Sequence, residues 1–242
     1  MNNSLDLGII KDLDFFVKKR DVGSESREEF IEDALNTSIP LERLSYYSWN
    51  DRDLIKEIRN RNEIIFTYFE DSNSPFSQNH KVSIISVDLF YRGLNEVQME
   101  YLRSSFLTEI EFSSAEQFMQ YHKAILFLDR KTASKIIQTS DYNSIRQLGN
   151  QIENFKEDIW CYHRSNVVYQ GNKLKFEQNL NLLEILSETV GTTLVNATAG
   201  EKLWGIGLNM NDPKSLQRNT WAGKNLLGEI LTLLRIEFTG MY

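Results

Sequence analysis

Apolar residues recur at helical spacing over most of this chain, and period-two or continuous β-prone runs are few. Two charged amphipathic stretches, 27–35 and 51–60, flank the Pro40 region, with Phe30, Ile31, Leu35, Leu54, Ile55 and Ile58 on their apolar faces. Texture changes at Glu63, where Ile64, Ile65, Phe66, Tyr68 and Phe69 form a short strand-like run that ends in Asp71, Ser72, Asn73, Ser74 and Pro75. A second run covers 82–90, and 94–103 reads as a helix with Leu94, Val97 and Tyr101 on one side. Beyond Phe112 the spacing predicts helices over 114–128, 132–138, 144–149, 155–168, 174–188 and 223–238. The expected fold class is mainly α, a multihelical domain with a minor β-sheet, preceded by a charged helical extension over residues 1–61.

Composition narrows the classes. At 242 residues, with 25% charged and 12% aromatic residues and only 3 Pro, the chain is long enough for a sizeable core and is not a low-complexity polymer. Cys161 is the single cysteine, so neither an intrachain disulfide nor a thiolate metal cluster is expected. The polar start lacks the apolar run of a signal peptide, and no run is long and apolar enough to span a membrane, which reads as a cytoplasmic protein without a membrane partner. A net charge of −7 opposes a nonspecific nucleic-acid coat, although a local basic site remains compatible with it. Residues 1–61 carry 13 acids against 10 bases and no recognisable chemistry, and are expected to pack on the remainder, residues 62–242, or on a partner.

Ser113 and Glu116 have the spacing of a capping box, which places a helix start here and accounts for Glu116 by itself. Glu116, Gln120 and Lys123 also fall at i, i+4 and i+7, a carboxylate, an amide and an amine on one face. By residue type alone that face reads as solvated. Trp160, Lys175, Glu201, Trp204, Trp221, Lys224 and Asn225 are scattered among apolar helices, and Gly205 and Gly207 flank Ile206 without the spacing of a dinucleotide-binding loop. His80, His122 and His163 lack metal-ligand spacing, and no nucleophile elbow or cysteine signature is present, so neither metal nor cofactor is expected.

Taken together, from about Ile64 to Ile236, the chain resembles the NADAR family. The resemblance rests on Ser114-Ala-Glu-Gln-Phe-Met-Gln-Tyr-His-Lys-Ala124, Lys175-Phe-Glu-Gln-Asn179, Leu194-Val-Asn-Ala197, Trp204-Gly-Ile-Gly-Leu208 and Trp221-Ala-Gly-Lys-Asn-Leu-Leu-Gly228, with Pro75-Phe-Ser-Gln78 as a diverged early loop. There are departures. Ala199-Gly-Glu201 stands where the family usually has Pro-x-Asp, Asn150 follows Leu148-Gly149 where a basic residue is common, and the chain between Pro75 and Phe112 is longer than in compact relatives.

The resemblance implies an N-glycosidase that breaks a bond between ribose C1 and an amine. Such chemistry needs stabilisation of positive charge at C1 and protonation of the departing nitrogen. Glu116 is the first candidate for the acid/base or charge-stabilising role and Glu201 the second carboxylate, while Lys123, Lys175 or Lys224 offers a Schiff-base route. Phe76, Gln120, Trp160, Trp204 and Gly205 are expected around the substrate, with Lys224 and Asn225 at a helix start positioned to bind phosphate. Two substrates fit the family: ADP-ribose attached to guanine in DNA, with a toxin as partner, and a phosphorylated ribosylaminopyrimidine of riboflavin biosynthesis. The extra segments, residues 1–61 and the longer stretch between Pro75 and Phe112, favour the first, since they suggest a substrate or partner larger than a small metabolite. An ADP-ribose-binding module without catalysis, and a partner-binding protein acting through residues 1–61, are the nonenzymatic alternatives.

Overall fold

The structure is a computed structural model that describes residues 65–70, 73–86 and 110–240. The helices expected within 1–61 and over 94–103, and the end of the strand expected over 82–90, lie outside the described residues. Strands β1 (Phe66–Phe69), β2 (Ile84–Ser86) and β3 (Ile110–Phe112) precede four helices, α1 (Ala115–Leu126), α2 (Arg130–Ile137), α3 (Tyr142–Gly149) and α4 (Glu157–Gln178). There follow α5 (Leu180–Ser187), strand β4 (Thr193–Asn196), two short 3-10 turns and α6 (Leu226–Thr239). The mainly helical class with a minor sheet is what the structure shows.

The long α4 runs through the gap left between the helices expected over 155–168 and 174–188. Nothing between Val168 and Leu174 breaks it: Gly171 is its weakest helix former, and that glycine sits inside the helix against the Phe118 ring. The break comes instead at Asn179, whose backbone leaves the helical region before α5 begins.

The sheet is two separate pairs. β1 and β4 run parallel with Phe66 opposite Thr193 and Phe69 opposite Asn196, and β2 pairs antiparallel with β3, Ile84 opposite Phe112. Every residue of β4 is buried, as expected of a parallel strand covered by helices. It rests on α6, while α1 packs on α2, α3 and α4. α1 is therefore the central helix, and Lys123 is its one residue that is not buried. The face that residue type assigned to solvent lies inside the molecule.

Candidate active site

The start of α1 differs by one residue from the expected cap. Ser114, not Ser113, is the N-cap: its hydroxyl accepts the Gln117 N–H at 3.2 Å, and Gln117 Oε1 accepts the Ser113 N–H at 2.6 Å. The cap therefore uses Gln117 and releases Glu116. Since successive helical residues are about 100° apart, this register turns the Glu116 side chain away from the helix start and into a cleft of about 330 Å³.

That cleft lies beyond the carboxyl ends of the two parallel strands, the place where α/β sheets commonly bind ligands. Phe69 and Glu70 come from the end of β1, and Asn196 and Thr198 from the end of β4. Ser77, Gln78 and Asn79 form one wall, Glu116, Met119 and Gln120 of α1 the floor, and Tyr142 and Arg146 of α3 with its C-cap Asn150 the opposite wall. Glu201, Trp204 and Leu227 close the remaining side.

Glu116 is 7% exposed, accepts a 3.0 Å hydrogen bond from Gln120 Nε2, and donates its backbone N–H to the Gln78 carbonyl at 2.8 Å. Burial pushes its pKa above the ordinary value; Gln120, Arg146 and Lys123 pull against that rise, and the Glu201 charge adds to it. Glu201 is held by its own turn, its Oε1 accepting the Leu203 and Trp204 N–H groups at 3.0 and 3.1 Å. Two carboxyl groups thus face one cleft.

Gln120 reaches Glu116 because Gly149 leaves room: a Cβ on Gly149 would lie 2.0 Å from Gln120 Oε1. The same glycine's carbonyl accepts Lys123 Nζ at 2.9 Å, and the ammonium also lies 4.5 Å from the Phe155 ring centre and 5.7 Å from that of Trp160. Lys123 is therefore beside the cleft rather than in its lining. Burial lowers its pKa, and the Glu157 and Glu116 charges partly offset that.

The other expected residues take places behind the cleft. Trp160 and Phe76 are buried in the main core, Phe76 edge-on to Phe69 at 5.7 Å. Lys175 is fully buried and donates to the Ser77 carbonyl at 2.8 Å, while Asn172 Nδ2 donates to Gln78 Oε1, so α4 props the Ser77–Gln78 wall from behind. Burial brings the Lys175 pKa down to about 7. Gly205 permits close approach, since a Cβ there would meet the Asn196 carbonyl oxygen at 2.7 Å.

Asn225 is completely buried in left-handed backbone, φ 57°, and its amide bridges β4: Nδ2 donates to the Leu194 carbonyl at 2.9 Å and Oδ1 accepts the Asn196 N–H at 2.9 Å. The N–H groups of Lys224, Leu226 and Leu227 donate to the carbonyls of Lys202, Leu203 and Trp204. Those donors are turned to protein rather than to a phosphate, and the Lys224 side chain is exposed outside the cleft. Glu116, Gln120, Glu201 and Trp204 are thus the expected residues that the fold brings together in one lining.

The sequence reading missed the α3 wall. Tyr142, Arg146 and Asn150 lie at i, i+4 and i+8 on one helical face, a signal available in the sequence; Arg146 places a cation one turn before the position where Asn150 replaces the family's basic residue. Among the described residues no group of three or more His, Cys, Asp or Glu could hold a metal ion, and no helix is long and apolar enough to cross a membrane. His122 and His163 are buried, and burial holds both pKa values below the ordinary range, His163 at about 4.

A mainly helical domain with paired carboxylates at the end of a short parallel sheet defines the class, and comparison with known proteins specifies it. The model of the NADAR domain matches residues 65–239. The N-glycosidase R617 of Acanthamoeba polyphaga mimivirus is 43% identical over 127 residues, 52% of this chain and 75% of that protein. The chloroplastic riboflavin biosynthesis protein PYRR of Arabidopsis thaliana is 31% identical over 98 residues, 40% of this chain and 14% of that protein. Among solved structures, the NMR structure of the E. coli protein YbiA has a similar fold, with a TM-score of 0.52 at 20% identity over 74% of this chain and 89% of that one. The chain belongs to the NADAR family. Its enzyme class is N-glycosidase, a hydrolase of N-glycosyl bonds.

Proposed function

We propose that the N-glycosyl bond cleaved joins ribose C1 to a guanine amine in DNA, and that the enzyme releases ADP-ribose and so reverses the action of a DNA-modifying toxin. The observation that carries the chemistry is the buried Glu116 carboxyl, bonded by Gln120 and facing the same cleft as Glu201, with burial raising its pKa. In this reading Glu116 gives its proton to the departing nitrogen, the C1–N electron pair leaves with the base, and Glu201 balances the positive charge at C1. Water then supplies the hydroxyl at C1, either directly or by releasing the sugar from an amine. Lys123 is the amine suited to that step, because it stands on α1 beside the cleft, two turns beyond Glu116 and next to Gly149, and burial lowers its pKa. Trp204, Phe69 and Leu227 offer apolar surface for a base, and the long segment between Pro75 and Phe112 is additional chain for a substrate larger than a small metabolite. The toxin partner and a cytoplasmic location belong to the same reading.

The likeness to the riboflavin biosynthesis protein favours a second substrate, a phosphorylated ribosylaminopyrimidine. It spans only 14% of that protein, so it bears on one segment of a much longer chain. The two are separated by offering ADP-ribosylguanine DNA and the pyrimidine intermediate side by side and identifying the released sugar by mass. Multiple-turnover release of ADP-ribose supports the first reading and excludes a binding module; release of ribose 5-phosphate alone overturns it.

A further inference from the structure

The cleft is unevenly charged. Among the described residues, Glu70, Glu116 and Glu201 line it against one cation, Arg146. Carboxylates suit a centre where positive charge develops, but a charged carboxylate repels a phosphate laid across it. A substrate with a pyrophosphate or a phosphodiester must therefore leave the cleft at its cationic end.

That end is the α3 wall. Arg146 Nη1 donates to the Tyr142 hydroxyl at 3.0 Å, and Tyr142 together with Asn79 also lines a second cavity, of about 390 Å³. The two cavities thus adjoin, with Asn79 and Tyr142 lining both. The second is lined further by Asn73, His80, Lys81 and Ser140, groups able to donate to phosphate oxygens. Its single carboxylate, Asp141, is turned to its own helix, where it accepts the Ser144 N–H at 2.8 Å as the N-cap of α3. The Lys81 ammonium is held at this cavity by the Ser140 carbonyl. Among the described lining residues, the cations are Arg146 in the first cavity and Lys81 in the second, with Tyr142 common to both.

We propose that the second cavity is the phosphate arm of the active site, binding the phosphate ester carried beyond the sugar whose C1–N bond is cut. The inference rests on the ADP-ribosylguanine reading and adds to it where the phosphates lie. The shared chemistry has two sources, the pyrophosphate of ADP-ribose and the phosphodiester of the DNA strand.

Calorimetric titration of the full chain distinguishes them with three probes: ADP-ribose, an unmodified guanine-containing single strand, and ribose 5-phosphate, whose phosphate stays close to its ring. Lys81→Met removes the ammonium and keeps most of the stem; Asn73→Asp adds a negative charge and leaves the Lys81–Ser140 bond in place. Both variants are expected to weaken ADP-ribose or the oligonucleotide by about fivefold, the scale of one partly exposed hydrogen bond, and to leave ribose 5-phosphate unchanged. Weakened ADP-ribose assigns the arm to the pyrophosphate, and weakened oligonucleotide alone assigns it to the strand. No weakening of either, or equal weakening of ribose 5-phosphate, overturns the arm. Failure of the substrate reading registers separately, as wild-type protein that releases no ADP-ribose from modified DNA.

Discussion

Burial makes Glu116 hold its proton at pH values where a solvated carboxylate would have lost it, and Gln120 orients the group without neutralising it. A donor of this kind gives a rate that falls as pH rises through the raised pKa. Glu116→Gln keeps the side-chain shape, and the helix start is secured by Ser114 and Gln117, so the variant is expected to fold like wild type while losing nearly all turnover, together with that alkaline limb. A folded variant with wild-type turnover would remove Glu116 from the chemistry. The lysines differ at the same scale: Lys123 interacts with Glu116 across the edge of the cleft, Lys175 is sealed behind Ser77, and Lys224 is exposed elsewhere. Borohydride added during turnover is expected to leave a sugar adduct on Lys123 and none on the other two, read by peptide mass. An adduct on Lys175 would show that the Ser77 wall opens, and no adduct at all assigns capture of C1 to water alone.

Among the elements, β4 is held on one side by β1 and on the other by the Asn225 and Thr232 side chains and the Ile206 N–H. Asn225 occupies two β4 backbone groups, the Leu194 carbonyl and the Asn196 N–H, much as a further strand would. Asn225→Ala leaves both buried groups unpaired and is expected to cost about 3 kcal/mol, seen as a lower urea midpoint at unchanged slope. A loss within the ordinary scatter of surface substitutions would mean that the strand finds other partners. α4 supports the opposite wall through Lys175, whose pKa is lowered from 10.5 to about 7 by burial. Between those values the unfolded chain binds more protons at this site than the folded one, so Lys175 makes stability rise with pH from about 7 to 10.5 and contributes no slope outside that window. Lys175→Met is expected to have a shallower rise than wild type over pH 7–10 in denaturant titrations. Equal slopes would show that Lys175 is protonated alike in both states.

For the molecule as a whole, every residue that lines the cleft falls within the family match over 65–239, so a chain begun at residue 62 is expected to fold and to keep its turnover number. Loss of turnover in a folded 62–242 chain would assign residues 1–61 a part in catalysis. Much of this molecule is legible from the sequence because its helices are local: periodic apolar positions placed α1, α2, α3 and α6 to within a few residues, and the Ser114–Ala124 motif singled out Glu116 and Gln120. Local order could not choose between two adjacent serines as the cap of α1. Their intrinsic preferences are alike, and burying eleven of twelve α1 residues decides the register that aims Glu116 inward. Nor could it show β4, whose partner Phe66–Phe69 lies more than a hundred residues away and whose other side is bonded by the Asn225 and Thr232 side chains. Sequence by itself determined the helical class and the family, and it offered Glu116 and Glu201 as candidates. Only the tertiary structure decided which polar groups share the cleft and which prop it from behind, because charge–charge repulsion, desolvation and shared walls are set by distances across elements far apart in the chain.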